Sequence, residues 1–114
     1  MADKYTFQCD EYIEPYLVVK FDKKGKIIPV KDIYDHPVLG VVDESTPQQV
    51  SVILSGIAKV KFSNYISIGD LVVPYKNGTV KSIEFFGSQK HELHSIGLVL
   101  KILNDDVVLV HLSI

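Results

Sequence analysis

The stretch from Val38 to Val80 constrains the fold more than any other part of the sequence, because short segments of alternating apolar and polar residues lie between turn residues. Side chains alternate between the two faces of a strand, so a period of two predicts strands with one buried and one exposed face. Glycines and the pair Asn77-Gly78 supply the turns between them. The stretch therefore predicts hairpin-connected β-strands.

The same pattern extends over most of the chain, and no apolar period of 3.6 residues persists long enough for an ordinary helix. We expect Gly56 to mark a bulge or sharp bend between two strands. Phe85–Ser95 is expected to form a long loop, with at most one short helical turn near 88–94. We predict an all-β fold, a small antiparallel barrel or sandwich. The expected strands are 4–8, 16–21, 27–30, 38–43, 48–55, 57–62, 71–74, 79–83, 96–103 and 107–112.

Length and composition favour one folded domain. The chain has 114 residues, 46% hydrophobic residues and a formal net charge of -2, so it needs no disulfide or metal to fold. Residues 1–15 are expected to form an N-terminal arm or first strand, and residues 16–114 a single β-domain. All 12 cationic residues are lysines, and the absence of arginine argues against a nucleic-acid partner. Without a signal-peptide pattern or a run of about 20 apolar residues, we expect no membrane partner and synthesis in the cytoplasm.

No motif in the sequence indicates catalysis or a metal site. His91 and His94 are three residues apart, whereas the zinc-protease motif needs two histidines four apart on a helix, and His36 or His111 would have to complete a site from distant segments. The thiol of Cys9 lies beside an acidic residue, which disfavours a reactive thiolate. Neither a Gly-x-Ser-x-Gly elbow nor a phosphate-binding glycine loop is present. We therefore predict no catalytic residue, no metal and no cofactor.

Two groups of aromatic residues are candidates for contact with a partner. One lies near the N-terminus and the other precedes the predicted long loop. Each residue alone is expected to pack in or around the core, as most aromatic side chains do. As groups they could anchor an interface, because aromatic residues are enriched at interfaces between proteins. The candidate contact residues are Tyr5, Phe7, Tyr12, Tyr16, Phe85 and Phe86.

An ordered set of glycine and valine motifs covers about two-thirds of the chain: Leu39-Gly40-Val41-Val42, Val50-Ser51-Val52, Gly56-Ile57-Ala58-Lys59-Val60, Gly69-Asp70-Leu71-Val72, Gly78-Thr79-Val80, Ile96-Gly97-Leu98-Val99-Leu100 and Val108-Leu109-Val110-His111-Leu112. In this order and spacing, the set resembles the small capsid decoration (cement, or head-stabilising) proteins of tailed bacteriophages. The aromatic and acidic N-terminal segment departs from that family, which often opens with a glycine-rich segment, and Phe85–Ser95 is longer and more polar than expected.

The resemblance implies a structural, non-catalytic virion protein with a β-rich fold. Such a protein would bind the outer surface of the lattice of major capsid protein as a homotrimer and stabilise the head. The segment Lys4–Tyr16 is then the candidate capsid-facing arm. Two alternatives remain: a self-cleaving domain of a phage appendage, for which no nucleophile can be assigned, and a glycan- or receptor-binding virion module that presents Phe85–Ser95 outward.

Overall fold

The computed structural model describes residues 3–114, so the first two residues of the predicted segment 1–15 lie outside the described residues. The chain is mostly β, with 46% strand and 12% helical residues, and its antiparallel sheet curls into a half-barrel. The all-β prediction is therefore confirmed. The strands are β1 (Asp3–Gln8), β2 (Val18–Phe21), β3 (Ile27–Pro29), β4 (Gly40–Ser45), β5 (Gln49–Lys61), β6 (Leu71–Pro74), β7 (Val80–Ser82), β8 (Gly97–Ile102) and β9 (Val107–Leu112).

The strands form one continuous sheet in the order β3-β2-β4-β5-β9-β8-β6-β7, and β1 pairs with β5 outside this path. Every pair of strands is antiparallel. An isolated parallel bridge joins Phe62, just after β5, to Val80 at the start of β7. This bridge holds the last strand of the path against the end of β5, which curls that half of the sheet around a core.

Strand β5 is continuous through Gly56, so the prediction of two separate strands, 48–55 and 57–62, is wrong. Gly56 has φ +96°, a conformation that glycine adopts easily, and it bends the strand without ending it. Ser55 pairs with β1, whereas Gly56 already pairs with Leu112 of β9. The bend expected at this glycine is thus the point at which β5 exchanges one set of partners for another.

The other glycine-containing turns follow the sequence more closely. Asn77 and Gly78 both have positive φ values, +57° and +80°, and connect β6 to β7 as the predicted hairpin. The prediction of a long loop over Phe85–Ser95 with at most one short helical turn near 88–94 is wrong in its extent, because 3-10 turns span Ile83–Glu92 and are interrupted at Gly87. These turns begin directly after β7, two residues before the predicted loop. Within residues 3–114, no helix is long and apolar enough to span a membrane.

Two apolar clusters lie on opposite faces of the first half of the sheet. Val41 belongs to the main cluster inside the half-barrel, while its neighbour Val42 belongs to a second cluster on the opposite face. Adjacent residues of a strand face opposite sides, so this half of the sheet is buried on both faces. The segment 9–17 supplies cover for the second cluster, since Ile13 is one of its buried members and Leu17 packs against it.

Candidate contact surfaces

Two of the predicted contact residues, Tyr5 and Phe7, lie together with a third aromatic ring at the edge of the second apolar cluster. The ring centres of Tyr5 and Phe7 are 5.0 Å apart, and those of Phe7 and Phe21 are 5.8 Å apart. Tyr5 is 62% exposed and Phe21 is 47% exposed, whereas Phe7 is half-buried and packs against the cluster. We call Tyr5, Phe7 and Phe21 the aromatic strip. Large exposed rings continuous with buried apolar residues are typical of an interface.

Tyr12 and Tyr16 do not join the aromatic strip through ring contacts. Tyr12 is exposed and lines an open groove of about 620 Å³, together with apolar side chains that include Ile13 and Leu17. The backbone of Tyr16 is fixed on both sides: its N–H donates to the carbonyl of Val42 (2.7 Å), and its carbonyl accepts from the N–H of Lys61 (2.9 Å). Tyr16 therefore connects β4 to the distal part of β5.

Phe85 and Phe86 lie in the 3-10 segment, where their rings pack edge to face at 5.2 Å. Phe86 also approaches Tyr75, with ring centres 6.2 Å apart. Phe85 is 58% exposed, and one face of its ring lies over the ammonium group of the buried Lys81. No ring contact among residues 3–114 joins this pair to the aromatic strip. The six predicted contact residues thus fall into separate groups.

A third surface is apolar, although the solvent-facing side of an antiparallel sheet is normally polar. Strand register aligns Ile57 of β5, His111 of β9, Leu98 of β8 and Leu71 of β6 in one row across the sheet. Ile57 and Leu71 are each 45% exposed and Leu98 is 36% exposed, so the row faces solvent. We call this row, together with Leu100 and Leu109 on the same strands, the outer apolar face.

The contact residues predicted from the sequence include neither Phe21 nor any residue of the outer apolar face. One signal was present in the sequence: 96–103 is apolar at almost every position, which is typical of a strand buried on both faces. In the single chain, β8 buries Val99 but exposes Leu98. The pattern thus indicated a strand with two apolar faces, but only the structure shows that one of them is left uncovered.

Within residues 3–114 the polar side chains form no cluster of three or more possible metal ligands. His36 and His94 are close, with ring centres 5.1 Å apart, while His111 lies on the outer apolar face. Among residues 3–114, no three His, Cys, Asp or Glu side chains are arranged to hold a metal ion. Burial of Cys9 and the negative charge of Asp10 raise the pKa of the Cys9 thiol, which keeps it protonated at neutral pH.

Comparison with known proteins identifies a structural relative but no sequence family. No protein-family model and no curated protein matches the chain. The fold is similar to the crystal structure of the N base of the head fiber protein gp8.5 of bacteriophage phi29, with a TM-score of 0.65 and 16% sequence identity. The match covers 99% of this chain and 95% of that chain. At this identity the similarity establishes the fold, which the two proteins share over nearly their whole lengths.

Proposed function

We propose that this protein is a structural, non-catalytic component of a tailed-phage head. In this proposal it is a decoration protein that binds the outer surface of the assembled capsid as a homotrimer and stabilises it. The observation that carries the proposal is the similarity of fold, over 99% of the chain, to the base of a phage head fiber. The ordered motifs that resemble capsid decoration proteins support it independently, because they come from the sequence and not from the shape.

A decoration protein needs no catalytic residue to stabilise a capsid. A protein that binds the assembled lattice but not the free subunit stabilises the lattice by mass action. Many identical copies with modest individual contacts gain strength from multivalency. A chain whose distinctive features are exposed apolar and aromatic surfaces, such as the aromatic strip, suits this role.

The aromatic strip is the proposed capsid contact. Tyr5 and Phe7 are carried by β1, which pairs with β5 along one edge and, among the described residues, with no other strand. The free edge of β1 could accept a strand from the capsid protein, since main-chain hydrogen bonds add an extended segment to an open sheet edge. Phe21 extends the same surface to β2. The turn that follows β2 adds Lys23 and Lys24, neither of which has an ion-pair partner within residues 3–114.

Co-sedimentation with expanded empty capsids of the phage that carries this sequence tests the function. We expect the protein to pellet with assembled capsids, to stay in solution with free major capsid subunits, and to raise the temperature at which the capsids lose their shape. A protein that remains in the supernatant with intact capsids would contradict the proposal. Mass spectrometry of the purified protein should give one full-length species, whereas two fragments would favour a self-cleaving domain.

Paired substitutions locate the contact. The double variant Tyr5→Ser/Phe21→Ser should bind capsids at least about tenfold more weakly, because exposed aromatic anchors contribute much of the affinity of an interface. The matched control is Tyr65→Ser, since Tyr65 is 87% exposed and lies between β5 and β6. Unchanged binding by the double variant would exclude the aromatic strip as the contact while leaving capsid binding itself in place.

A further inference from the structure

Strand β8 is apolar on both faces but buried on only one. Val99 is 1% exposed and belongs to the main cluster, whereas Leu98 and Leu100 on either side of it are 36% and 37% exposed. In an antiparallel sheet with one wet face, the outward positions are normally polar. Contiguous exposed apolar residues on a soluble chain instead mark a surface that a partner covers.

The outer apolar face is flanked by unpaired positive charge. Register places Lys59 of β5, Leu109 of β9 and Lys101 of β8 in a second row, adjacent to the row of Ile57 and Leu98. Within residues 3–114 neither lysine has an ion-pair partner. The ammonium nitrogen of Lys59 lies 5.9 Å from the centre of the Tyr16 ring. The surface thus combines an apolar centre with a basic rim.

The same chain carries a matching acidic element. Asp105 and Asp106 lie in the exposed turn that joins β8 to β9, and neither carboxylate has an ion-pair partner in the part of the chain that the structure describes. The side chain of Asn104 accepts from the N–H groups of Asp106 and Val107 at 2.9 Å, and the N–H groups of Leu103 and Asn104 donate to the carbonyl of Val107. The turn therefore keeps its shape without using either carboxylate.

We propose that the outer apolar face is the surface through which copies of this chain associate, with the acidic turn of one copy against the lysine rim of another. These charges favour a second copy as the occupant, because each copy carries both a basic rim and an acidic turn, and the two can pair between copies. An apolar centre with a polar rim is the usual composition of a specific interface. The inference deepens the proposed function and rests on it in one respect: it identifies the subunit contact of the proposed oligomer.

Sedimentation velocity of the purified protein, without capsids, tests the apolar centre. We expect the wild type to form an oligomer whose mass falls on dilution, and Leu98→Glu to raise the dissociation constant at least about tenfold, because a charge is then buried without a partner. Tyr34→Glu is the matched control, since Tyr34 is 66% exposed between β3 and β4. A monomeric wild type at high concentration, or Leu98→Glu with the wild-type mass, would overturn the inference. Circular dichroism should confirm that each variant folds.

Charge reversal tests the rim. Lys59→Glu/Lys101→Glu and Asp105→Lys/Asp106→Lys should each weaken association by roughly tenfold at low salt, given the modest strength of exposed ion pairs. The variant with all four changes restores opposite charges and should associate nearly as well as the wild type. Failure of the fourfold variant to recover would overturn the pairing of turn and rim.

The two proposals fail separately. A wild type that is monomeric in solution but pellets with capsids contradicts the homotrimer and self-association through this face, and it leaves capsid binding standing. The opposite outcome is a wild type that forms an oligomer weakened by Leu98→Glu but does not pellet with capsids. That result contradicts the decoration function and supports the inferred subunit contact.

Discussion

The ammonium nitrogen of Lys81 lies 4.0 Å from the centre of the Phe85 ring. Lys81 is only 3% exposed, and its ammonium group also lies 5.0 Å from the centre of the Tyr75 ring and donates to the carbonyl of Ser63 at 3.4 Å. No carboxylate within residues 3–114 pairs with it. Phe85 therefore covers a buried cation, so this predicted contact residue has a role in the fold whether or not it touches a partner.

Replacing Phe85 by Ala should lower the free energy of unfolding by about 1–2 kcal/mol, because the ring supplies a desolvated cation–π contact. Replacing Lys81 by Met should leave stability unchanged or raise it, since the methionine has similar volume and needs no charge partner. Urea unfolding of both single variants and the double variant measures their coupling. A Phe85→Ala cost that is the same in the Lys81→Met background would show that the ammonium group plays no part.

Gly40 sits where no side chain fits. A Cβ atom at this position would lie 2.2 Å from the carbonyl oxygen of Ile53, which is backbone and cannot rotate away. Gly40→Ala should therefore destabilise the protein by about 3 kcal/mol or more, at the upper end of overpacking costs. The control is Gly25→Asn in an open turn, where nothing lies within 4 Å and the positive φ of +81° suits asparagine. Thermal unfolding of the two variants compares them, and equal losses would contradict the steric explanation.

Asp35 should contribute pH-dependent stability. Burial acts to raise its pKa, but the Lys20 ammonium at 2.7 Å and the N–H groups of Lys31 and Asp32 outweigh burial and lower the pKa below its ordinary value. A lowered folded-state pKa gives stability that is present above the unfolded pKa of about 3.9 and is lost as the pH falls through the folded value.

Asp35→Asn should consequently cost about 1–2 kcal/mol at pH 7, and the difference from wild type should shrink as the pH falls below about 4. Urea titrations at a series of pH values follow both curves. Glu92→Gln is the control, since Glu92 is exposed and makes no ion pair within residues 3–114. An Asp35→Asn loss that persists unchanged at low pH would indicate lost packing and not a lost charge.

Removal of β1 should damage the fold and not merely shorten an arm. Residues from Asp3 to Gln8 pair with β5 along six register positions, and Phe7 packs on the second apolar cluster. Deleting residues 1–8 should lower the melting temperature by roughly 5 °C or more, the shift that about 1 kcal/mol causes in a domain of this size. An unchanged melting temperature would show that β1 adds nothing to stability. Because of this expected loss, point substitutions in the aromatic strip test capsid binding more cleanly than truncation.

The sequence by itself determined where strands form and where the chain turns. The alternation in Val50-Ser51-Val52 and the pair Asn77-Gly78 depend on local geometry alone: the two faces of a strand and the positive φ values of a turn. Those predictions hold in the structure. The same local reasoning placed a bend at Gly56 but could not decide whether the strand ended there, because continuity depends on whether partners are present on both sides of the residue.

Tertiary structure alone decided which surfaces remain open. Leu98 and Val99 are both apolar and adjacent, yet one faces solvent and the other the core, because burial is set by the distant strands that curl around β8 and not by residue type. Phe21 joins Phe7 for the same reason: their 14-residue separation is closed only when β1 pairs with β5. Local backbone preference thus fixes the elements, whereas the interfaces they expose follow from contacts between residues far apart in the chain.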